Sequence, residues 1–214
     1  MKEHTIQLCT HFYEIHPDLL FMKEPVSEVC EALLKIFQNG GKVLICGNGG
    51  SCADGDHIVG ELMKGFLLKR PLDANVKARF TQLYNGEGNF IAEKLQCGLP
   101  AISLNAHASL ISAFSNDVDP DLIYAQQVMG YARKGDAVIG ISTSGNANNV
   151  AYALMTAKVM GAASLALTGR DGGKIAKIAD YSLIAPEQET YRIQEVHIAL
   201  YHLLCAYIES EMFS

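Results

Sequence analysis

The stretch KVLICGNGGS, residues 42–51, contains the clearest indication of the fold. Its first half is an apolar run, which is typical of a strand buried on both faces. Its second half is a glycine-rich turn, and a helical pattern follows over about 53–68. A strand, a turn and a helix in this order are the first half of a β-α-β unit. The stretch therefore predicts an α/β protein with a parallel sheet.

The same pattern recurs on the C-terminal side of this stretch. Apolar runs at 136–141 and 162–167 each lead through a turn into a helical segment, and shorter strand-like runs occupy 101–104 and 181–184. Short strands that alternate with helices predict a parallel sheet that is covered by helices on both faces.

Both ends of the chain are predicted to be helical. Apolar residues recur at three- and four-residue spacing over 3–38, and we expect Pro17 and Pro25 to divide this segment. The glycines of Asn39-Gly40-Gly41 are typical of a helix end. Residues 190–212 show the apolar stripe of one long helix.

The domain organisation follows from the absence of a linker. No shift in composition divides the chain, so we expect one domain over 1–214 with an N-terminal helical segment over 1–40. Residues 72–99 are the least regular part, where the sequence predicts a loop over 85–89 and a helix over 90–96.

Composition and charge exclude several classes of protein. The chain of 214 residues has 17 Lys and Arg against 23 Asp and Glu, a net charge of −6. This balance argues against a nucleic-acid partner bound through a broad basic face. No apolar run approaches the roughly 18 residues of a membrane span, so we expect no membrane partner. The six cysteines lack CxxC spacing and the N-terminus lacks a signal-peptide core, which predicts a reduced, cytoplasmic protein.

The turn over 47–51 is the first candidate site. Glycines at this place let backbone N–H groups approach an anion, and the start of the following helix adds partial positive charge. The turn lacks the lysine of a Walker loop and the spacing of a dinucleotide motif. By itself it favours neither an anion site nor a plain tight turn.

The second candidate site is Ser142-Thr143-Ser144-Gly145-Asn146, which follows another predicted strand. Three hydroxyls and the free amides of a helix start can hold a phosphate without a basic side chain. A helix cap is the simpler explanation, but a cap accounts for one hydroxyl and not for three. Ligands of open parallel sheets bind at the carboxyl ends of strands, where both turns are expected.

Two helices carry further candidates. His57 and Glu61 are four residues apart, which places them on one helix face, where they could bind a metal or move protons. A solvated ion pair is the alternative. On the last helix, Gln194 and His202 are eight residues apart and lie on the same half of the helix. The alternative is that these polar residues only form the solvent-exposed side of the helix.

Together these motifs resemble the sugar isomerase (SIS) family, and within it the phosphoheptose isomerases. The resemblance rests on CGNGGS at 46–51, His57 with Glu61, SND at 115–117, STSGN at 142–146, LTGRDGGK at 167–174, and RIQEVH at 192–197 with His202. It extends over most of the chain.

The resemblance implies a fold and an activity. The fold would be a three-layer α/β/α, flavodoxin-like SIS domain with a five-stranded parallel sheet, assembled as a homotetramer with active sites between subunits. The activity would be aldose–ketose isomerisation through an enediol. The substrate would be a phosphorylated sugar, sedoheptulose 7-phosphate, converted into glycero-manno-heptose 7-phosphate.

The resemblance also assigns roles to residues. Glu61 would be the catalytic base, and His202 would exchange protons with the substrate oxygens. A zinc ion (Zn2+) would be held by His57, Glu61, Gln194 and His202. The substrate would contact Asn48, Gly49, Gly50, Ser51, Glu61, Asn116, Asp117, Ser142, Thr143, Ser144 and Gln194.

The chain departs from the family pattern at four places. Ala147 replaces a serine of the phosphate loop, Gly65 stands where a basic residue is expected, and Tyr191 stands where an acidic residue is expected. Residues 72–99 are expected to be an insertion. Two alternatives therefore stay open: an isomerase of another phosphosugar, and a non-catalytic SIS module that binds or senses a sugar phosphate.

Overall fold

The centre of the protein is one parallel sheet. A computed structural model describes all 214 residues. The strand order is β2-β1-β3-β4-β5, and every neighbouring pair is parallel. This confirms the predicted five-stranded α/β fold. The strands are β1 (Val43–Gly47), β2 (Ala101–Ser103), β3 (Ala137–Ser142), β4 (Ala163–Gly169) and β5 (Tyr181–Ala185).

Nine α-helices surround the sheet. Two short 3-10 helices, Pro17–Met22 and Pro120–Leu122, accompany them. The α-helices are α1 (Glu3–Ile15), α2 (Lys23–Gln38), α3 (Gly50–Met63), α4 (Ala74–Lys94), α5 (Ala108–Asp117), α6 (Ile123–Tyr131), α7 (Asn148–Val159), α8 (Gly173–Ile178) and α9 (Thr190–Phe213).

The sheet has a separate hydrophobic core on each face. In β1, Val43 and Ile45 pack into a core formed with α2, α3 and α9. The intervening Leu44 and Cys46 pack into a second core formed with α6, α7 and α8. Alternation along a strand sends successive side chains to opposite faces, which explains why the whole run is apolar. The three-layer arrangement places α3 and α9 in the same layer.

The N-terminal segment divides at one of the two expected prolines. The break is at the 3-10 helix that begins with Pro17. Pro25 lies in the first turn of α2, where a helix needs no N–H donor, so the expected break at Pro25 was wrong. Helix α2 ends before Gly40, because the φ of 75° at this glycine lies outside the range of a right-handed helix.

Residues 72–99 differ most from expectation. Helix α4 includes 74–84, which the sequence pattern did not identify as helical. The predicted loop over 85–89 is reduced to a sharp turn at Asn85, whose φ of 49° reverses the chain. Gly88 then passes so close to Phe80 that an added Cβ would lie 2.0 Å from its carbonyl oxygen. The segment is therefore a helical hairpin. Whether it is an insertion stays a prediction.

No helix combines the length and the apolar character that crossing a bilayer requires.

Candidate active site

The two candidate loops lie where the strand order reverses. β1 and β3 are neighbours, and the chain continues from β1 to one edge of the sheet and from β3 to the other. A crevice opens at such a point beyond the carboxyl ends of the strands, and ligands of parallel sheets bind there. The turns after β1 and β3 face this crevice.

Side-chain amides tie the first loop to the start of α7, the helix that follows the second loop. The Asn48 and Asn149 side chains exchange two hydrogen bonds, with N–O distances of 2.9 and 3.0 Å. The Tyr124 hydroxyl donates to the Gly47 carbonyl at 2.7 Å and holds the base of the first loop. Gly49 has a φ of 58°, which a residue with a side chain rarely adopts. The first loop is thus a defined structure next to the second.

The second loop leads into α7 without a side-chain cap on the helix, whose N-cap residue is Ala147. The Asn146 N–H donates to Ser144 Oγ at 3.2 Å within the loop, so none of the three hydroxyls is used as a helix cap. Gly145 has a φ of 68° and packs on the Gly172–Gly173 turn, where an added Cβ would meet the Gly172 carbonyl oxygen at 2.1 Å. The close packing of two glycine turns fixes the position of the hydroxyls.

Helices α3 and α9 bring three of the predicted chemical residues together. His57 Nε2 lies 3.2 Å from Glu61 Oε1 on α3. The ring of His202, on α9, lies edge-on to that of His57 with centroids 5.0 Å apart. The Nε2 atom of His202 is buried without a hydrogen-bond partner. Two helices far apart in sequence therefore converge on one polar cluster, which we call the imidazole–carboxylate cluster: His57, Glu61 and His202.

Gln194 lies closer to the N-terminal ends of the same two helices. Its amide packs on Gly50, where an added Cβ would be 2.0 Å from Gln194 Nε2. Gly50 is seven residues, or about two turns, before His57 on α3. Gln194 thus faces α3, and its amide makes no hydrogen bond to the other three residues. No group of three or more His, Cys, Asp or Glu side chains is arranged as a preformed metal site.

Asn116 and Asp117 lie apart from this cluster. They end α5, which is exposed there, and the Asn116 side chain donates to Asp117 Oδ1 at 2.8 Å. Helix α5 belongs to the layer on the opposite face of the sheet from α3 and α9. Within one chain, these two predicted substrate contacts do not meet the imidazole–carboxylate cluster.

Two residues of the site were missed in the sequence. The Tyr201 hydroxyl lies 2.8 Å from His57 Nδ1, and Asp54 is 7% exposed beside it. Asp54 is three residues before His57, on the same helix face, which is the signal that could have found it. Tyr201 gives no such signal, because a tyrosine in an apolar stripe is usually a packing residue.

Burial changes the acid–base properties around the cluster. Burial lowers the pKa of His202, and the neighbouring His57 adds to the effect, while Glu61 opposes it. His202 is therefore neutral near pH 7. Burial raises the pKa of Asp54 to about 6, against the opposing effects of His57 and of a hydrogen bond from Tyr201.

A buried ion pair fixes the end of α3 against α9. Arg70 Nε donates to Glu209 Oε1 at 2.7 Å, and both side chains are fully buried. Arg70 also donates to the Glu61 and Leu62 carbonyls. The Glu209 carboxylate further accepts the backbone N–H groups of residues 66–68. This loop carries Phe66, whose ring lies 5.4 Å from that of His202.

The fold and the site together define the class. A parallel sheet with a hydroxyl-lined loop at its switch point, and an imidazole–carboxylate cluster nearby, is the arrangement of an α/β protein that binds phosphorylated ligands. A family model described as SIS domain matches residues 101–207, which is half of the chain.

Similarity to known proteins identifies a smaller group within this class. The phosphoheptose isomerase of Trichlorobacter lovleyi is 42% identical over 189 residues, covering 88% of this chain and 83% of that protein. The structure of phosphoheptose isomerase GmhA from Neisseria gonorrhoeae is 34% identical, with a TM-score of 0.71, and covers 97% of this chain and 94% of its own. A phosphoheptose isomerase from Francisella tularensis is 27% identical, with a TM-score of 0.75 and the same coverage of both chains. The chain belongs to the SIS-domain family and, within it, to the phosphoheptose isomerases.

Proposed function

We propose that the protein is an isomerase that interconverts sedoheptulose 7-phosphate and glycero-manno-heptose 7-phosphate. The names of its relatives support this function. The observation that carries it is the convergence of α3 and α9, which brings Glu61 and His202 to one place beside His57. An enediol reaction needs a base and a proton-exchanging group, and this cluster contains both.

The loop over 142–146 holds the phosphate in this proposal. Its hydroxyls and the amides at the start of α7 are anion donors that need no basic side chain. The loop sits near the start of α3, and His57 lies about two turns, or about 10 Å, further along that helix. A phosphorylated sugar in an extended form bridges such a span, with its phosphate at the loop and its carbonyl end at the cluster.

Glu61 and His202 divide the proton transfers between them. Glu61 removes a proton from C1 of the ketose, and His202 supplies one to the C2 oxygen, which gives the enediol. Glu61 then returns the proton to C2, and His202 takes the proton of the C1 oxygen, which gives the aldose. A neutral imidazole has one donor and one acceptor nitrogen, so the lowered pKa of His202 suits it to both steps.

The donor atoms of His57, Glu61 and His202 suit a zinc ion, which is part of the proposal, although these side chains do not form a preformed metal site. His57 Nε2 and Glu61 Oε1 converge at 3.2 Å, and His202 Nε2 is a buried nitrogen without a partner. Imidazole nitrogens and carboxylate oxygens are ligands that zinc prefers. His57, Glu61, Gln194 and His202 would hold the ion. When bound, it would supply Lewis-acid stabilisation of the negative charge on the substrate oxygens.

Glu61 can serve as a ligand and as a base because its two oxygens face different partners. Oε1 faces His57, and Oε2 lies 3.3 Å from Lys64 Nζ. One oxygen can therefore hold the ion while the other accepts a proton.

A homotetramer with active sites between subunits, in the cytoplasm, completes the proposal. Asn116 and Asp117 are remote from the cluster within one chain, so a second copy is the way to bring such residues to the substrate. Large apolar side chains are exposed at Phe21, Leu83 and Phe90, and such surfaces usually bind a partner. The six cysteines are all free thiols, as in a reducing compartment.

The direct test is conversion of the substrate. Purified protein incubated with sedoheptulose 7-phosphate in D2O should produce the heptose aldose, which NMR detects, and the aldose should carry deuterium at C2 wherever the proton held by Glu61 exchanges with solvent before it is returned. A panel of hexose and pentose phosphates tests the rival isomerase function. Preference for another sugar would reassign the substrate, and binding without turnover of any sugar would identify a non-catalytic module. Light scattering tests the tetramer.

A further inference from the structure

We propose that Asp54 and Tyr201 are positioning residues that hold His57 in the orientation and tautomer that presents Nε2 to a metal ion. The proposal deepens the proposed function, because it concerns the residues behind the proposed zinc ligands. Neither residue was among the predicted site residues.

The geometry is a chain of three side chains from two helices. Tyr201 is 1% exposed and comes from α9, whereas Asp54 and His57 are one turn apart on α3. The Tyr201 hydroxyl lies 2.8 Å from His57 Nδ1 and is next to the Asp54 carboxyl. The Tyr201 and His57 rings meet edge-on, with centroids 5.4 Å apart, so the tyrosine ring also limits rotation of the imidazole.

The direction of the hydrogen bonds follows from Asp54. The carboxyl is 7% exposed, and its Oδ2 atom is buried without a protein partner, so it needs a donor. The Tyr201 O–H is the group that can supply one. Once the hydroxyl donates to Asp54, its oxygen accepts from His57, and the proton of a neutral imidazole then sits on Nδ1.

This tautomer leaves Nε2 with a free electron pair. Nε2 and Glu61 Oε1 are then two acceptors 3.2 Å apart, an arrangement that a cation between them stabilises. In the opposite tautomer Nε2–H would donate to Glu61 and the tyrosine would donate to Nδ1, which would leave the buried Asp54 carboxyl without its donor. A buried acceptor without a donor costs free energy. The three side chains therefore favour the tautomer with the proton on Nδ1 and the free electron pair on Nε2. Metal-bound histidines in general have such a second hydrogen-bond partner.

The first test measures zinc affinity by competition with a chromophoric chelator. Tyr201→Phe should weaken zinc binding about 10–100-fold, the usual effect of losing such a partner. Tyr207→Phe is the matched control, because Tyr207 is also a buried tyrosine of α9 but does not touch His57. Its zinc affinity should equal that of the unmodified protein. Both metal-free variants should remain folded, and Tyr201→Phe should be the less stable of the two because it leaves the buried Asp54 carboxyl without its donor.

A double-mutant cycle tests whether the two residues act as one unit. Asp54→Ala should weaken zinc binding as Tyr201→Phe does, and the double variant should be no weaker than either single variant. Asp54→Asn keeps an acceptor for the tyrosine and should have a smaller effect, which provides a foldable variant if the alanine does not fold. Independent, additive losses would overturn the proposal.

A second measurement needs no metal. A long-range 1H–15N NMR spectrum of the metal-free protein should show His57 with its proton on Nδ1, and Tyr201→Phe should shift this population towards Nε2. An unchanged tautomer and a zinc affinity within twofold of the unmodified protein would overturn the proposal. Conversion of sedoheptulose 7-phosphate by the unmodified protein is measured separately, so a failed positioning role and a failed isomerase function give different results.

Discussion

At the residue scale, the proposed proton transfer depends on Glu61. Its carboxylate is mostly buried, lies next to His57, and is held in place because Arg70 binds the carbonyl of the same residue. A side chain that is fixed at both its backbone and its carboxylate is preorganised for proton transfer. Such a positioned group accelerates proton transfer more than a freely moving group does.

Replacing this carboxylate should abolish turnover. Glu61→Gln keeps the shape of the side chain but removes its basicity, so we expect a loss of about 10²–10⁴-fold or more in kcat. Binding of sedoheptulose 7-phosphate, measured by calorimetry, should persist. Glu93→Gln, an exposed change on α4, is the control. Near-normal turnover by Glu61→Gln would remove Glu61 from the mechanism.

The phosphate loop makes a second prediction at this scale. Ser144→Ala removes a hydroxyl that accepts the Asn146 N–H within the loop and that we expect to donate to the phosphate. The loss of one donor to a charged group should weaken sugar-phosphate binding by about 1–2 kcal/mol. Calorimetry with Ser109→Ala, an exposed serine at the start of α5, serves for comparison. Equal affinities of the two variants would place the phosphate elsewhere.

At the scale of elements, the register of α3 against α9 sets the site. The two helices run side by side in the same direction, since Gly50 meets Gln194 near their starts and Arg70, just beyond α3, meets Glu209 near the end of α9. His57 and His202 lie between these two contacts. A shift of one helix along the other would separate the imidazole–carboxylate cluster.

The Arg70–Glu209 pair should therefore matter for stability. Glu209→Ala leaves a buried guanidinium without its counter-charge and three backbone donors without an acceptor, so we expect the free energy of unfolding to fall by about 3–5 kcal/mol. Urea denaturation measures the loss. Glu211→Ala, on the same helix but at a partly exposed position, should cost far less. Equal losses in the two variants would show that the buried pair does not hold the helices.

Sequence patterns predicted the elements better than their contacts. The apolar runs of β1 and β3 and the stripe of α9 follow from burial, which leaves a periodic signal. The first half of α4 left little signal, because the hairpin packs mainly on itself and keeps large side chains such as Leu83 exposed. The Arg70–Glu209 pair left none, since two charged residues 139 positions apart show no pattern before the chain is folded.

The candidate site was predictable to the same degree. The i,i+4 spacing identified His57 with Glu61, and three adjacent hydroxyls identified the second loop. That His202 meets His57 depends on the packing of two distant helices, and the family resemblance, not periodicity, predicted it. The sequence did not predict Tyr201, because only the contact of its hydroxyl with His57 distinguishes it from a tyrosine that packs in the core.

At the scale of the whole molecule, stability should depend on pH through His197. This residue is fully buried, and its Nε2 donates to the Thr168 carbonyl at 3.0 Å. Burial lowers its pKa to about 4, from an ordinary 6.5, although the hydrogen bond to Thr168 opposes the effect. Between these values the unfolded chain binds a proton that the folded chain does not, so the folded state loses stability as the pH falls from 6.5 to 4.

The expected loss over this range is about 3 kcal/mol, from 1.36 kcal/mol for each pKa unit. Urea denaturation at several pH values measures it. Asp54 acts in the opposite direction between about pH 4 and 6, because its raised pKa makes the folded state bind a proton there. His197→Gln should remove the loss due to His197. An unchanged pH dependence in this variant would show that His197 is not the group responsible.

The arrangement of the whole site is tested most directly by a crystal structure of Glu61→Gln with sedoheptulose 7-phosphate bound. We expect the phosphate within hydrogen-bond distance of Ser142, Thr143 and Ser144, and C1 and C2 of the sugar between residue 61 and His202. A sugar bound with its C1 and C2 away from α3 and α9, in every subunit of the crystal, would contradict the assignment of these helices as the catalytic site.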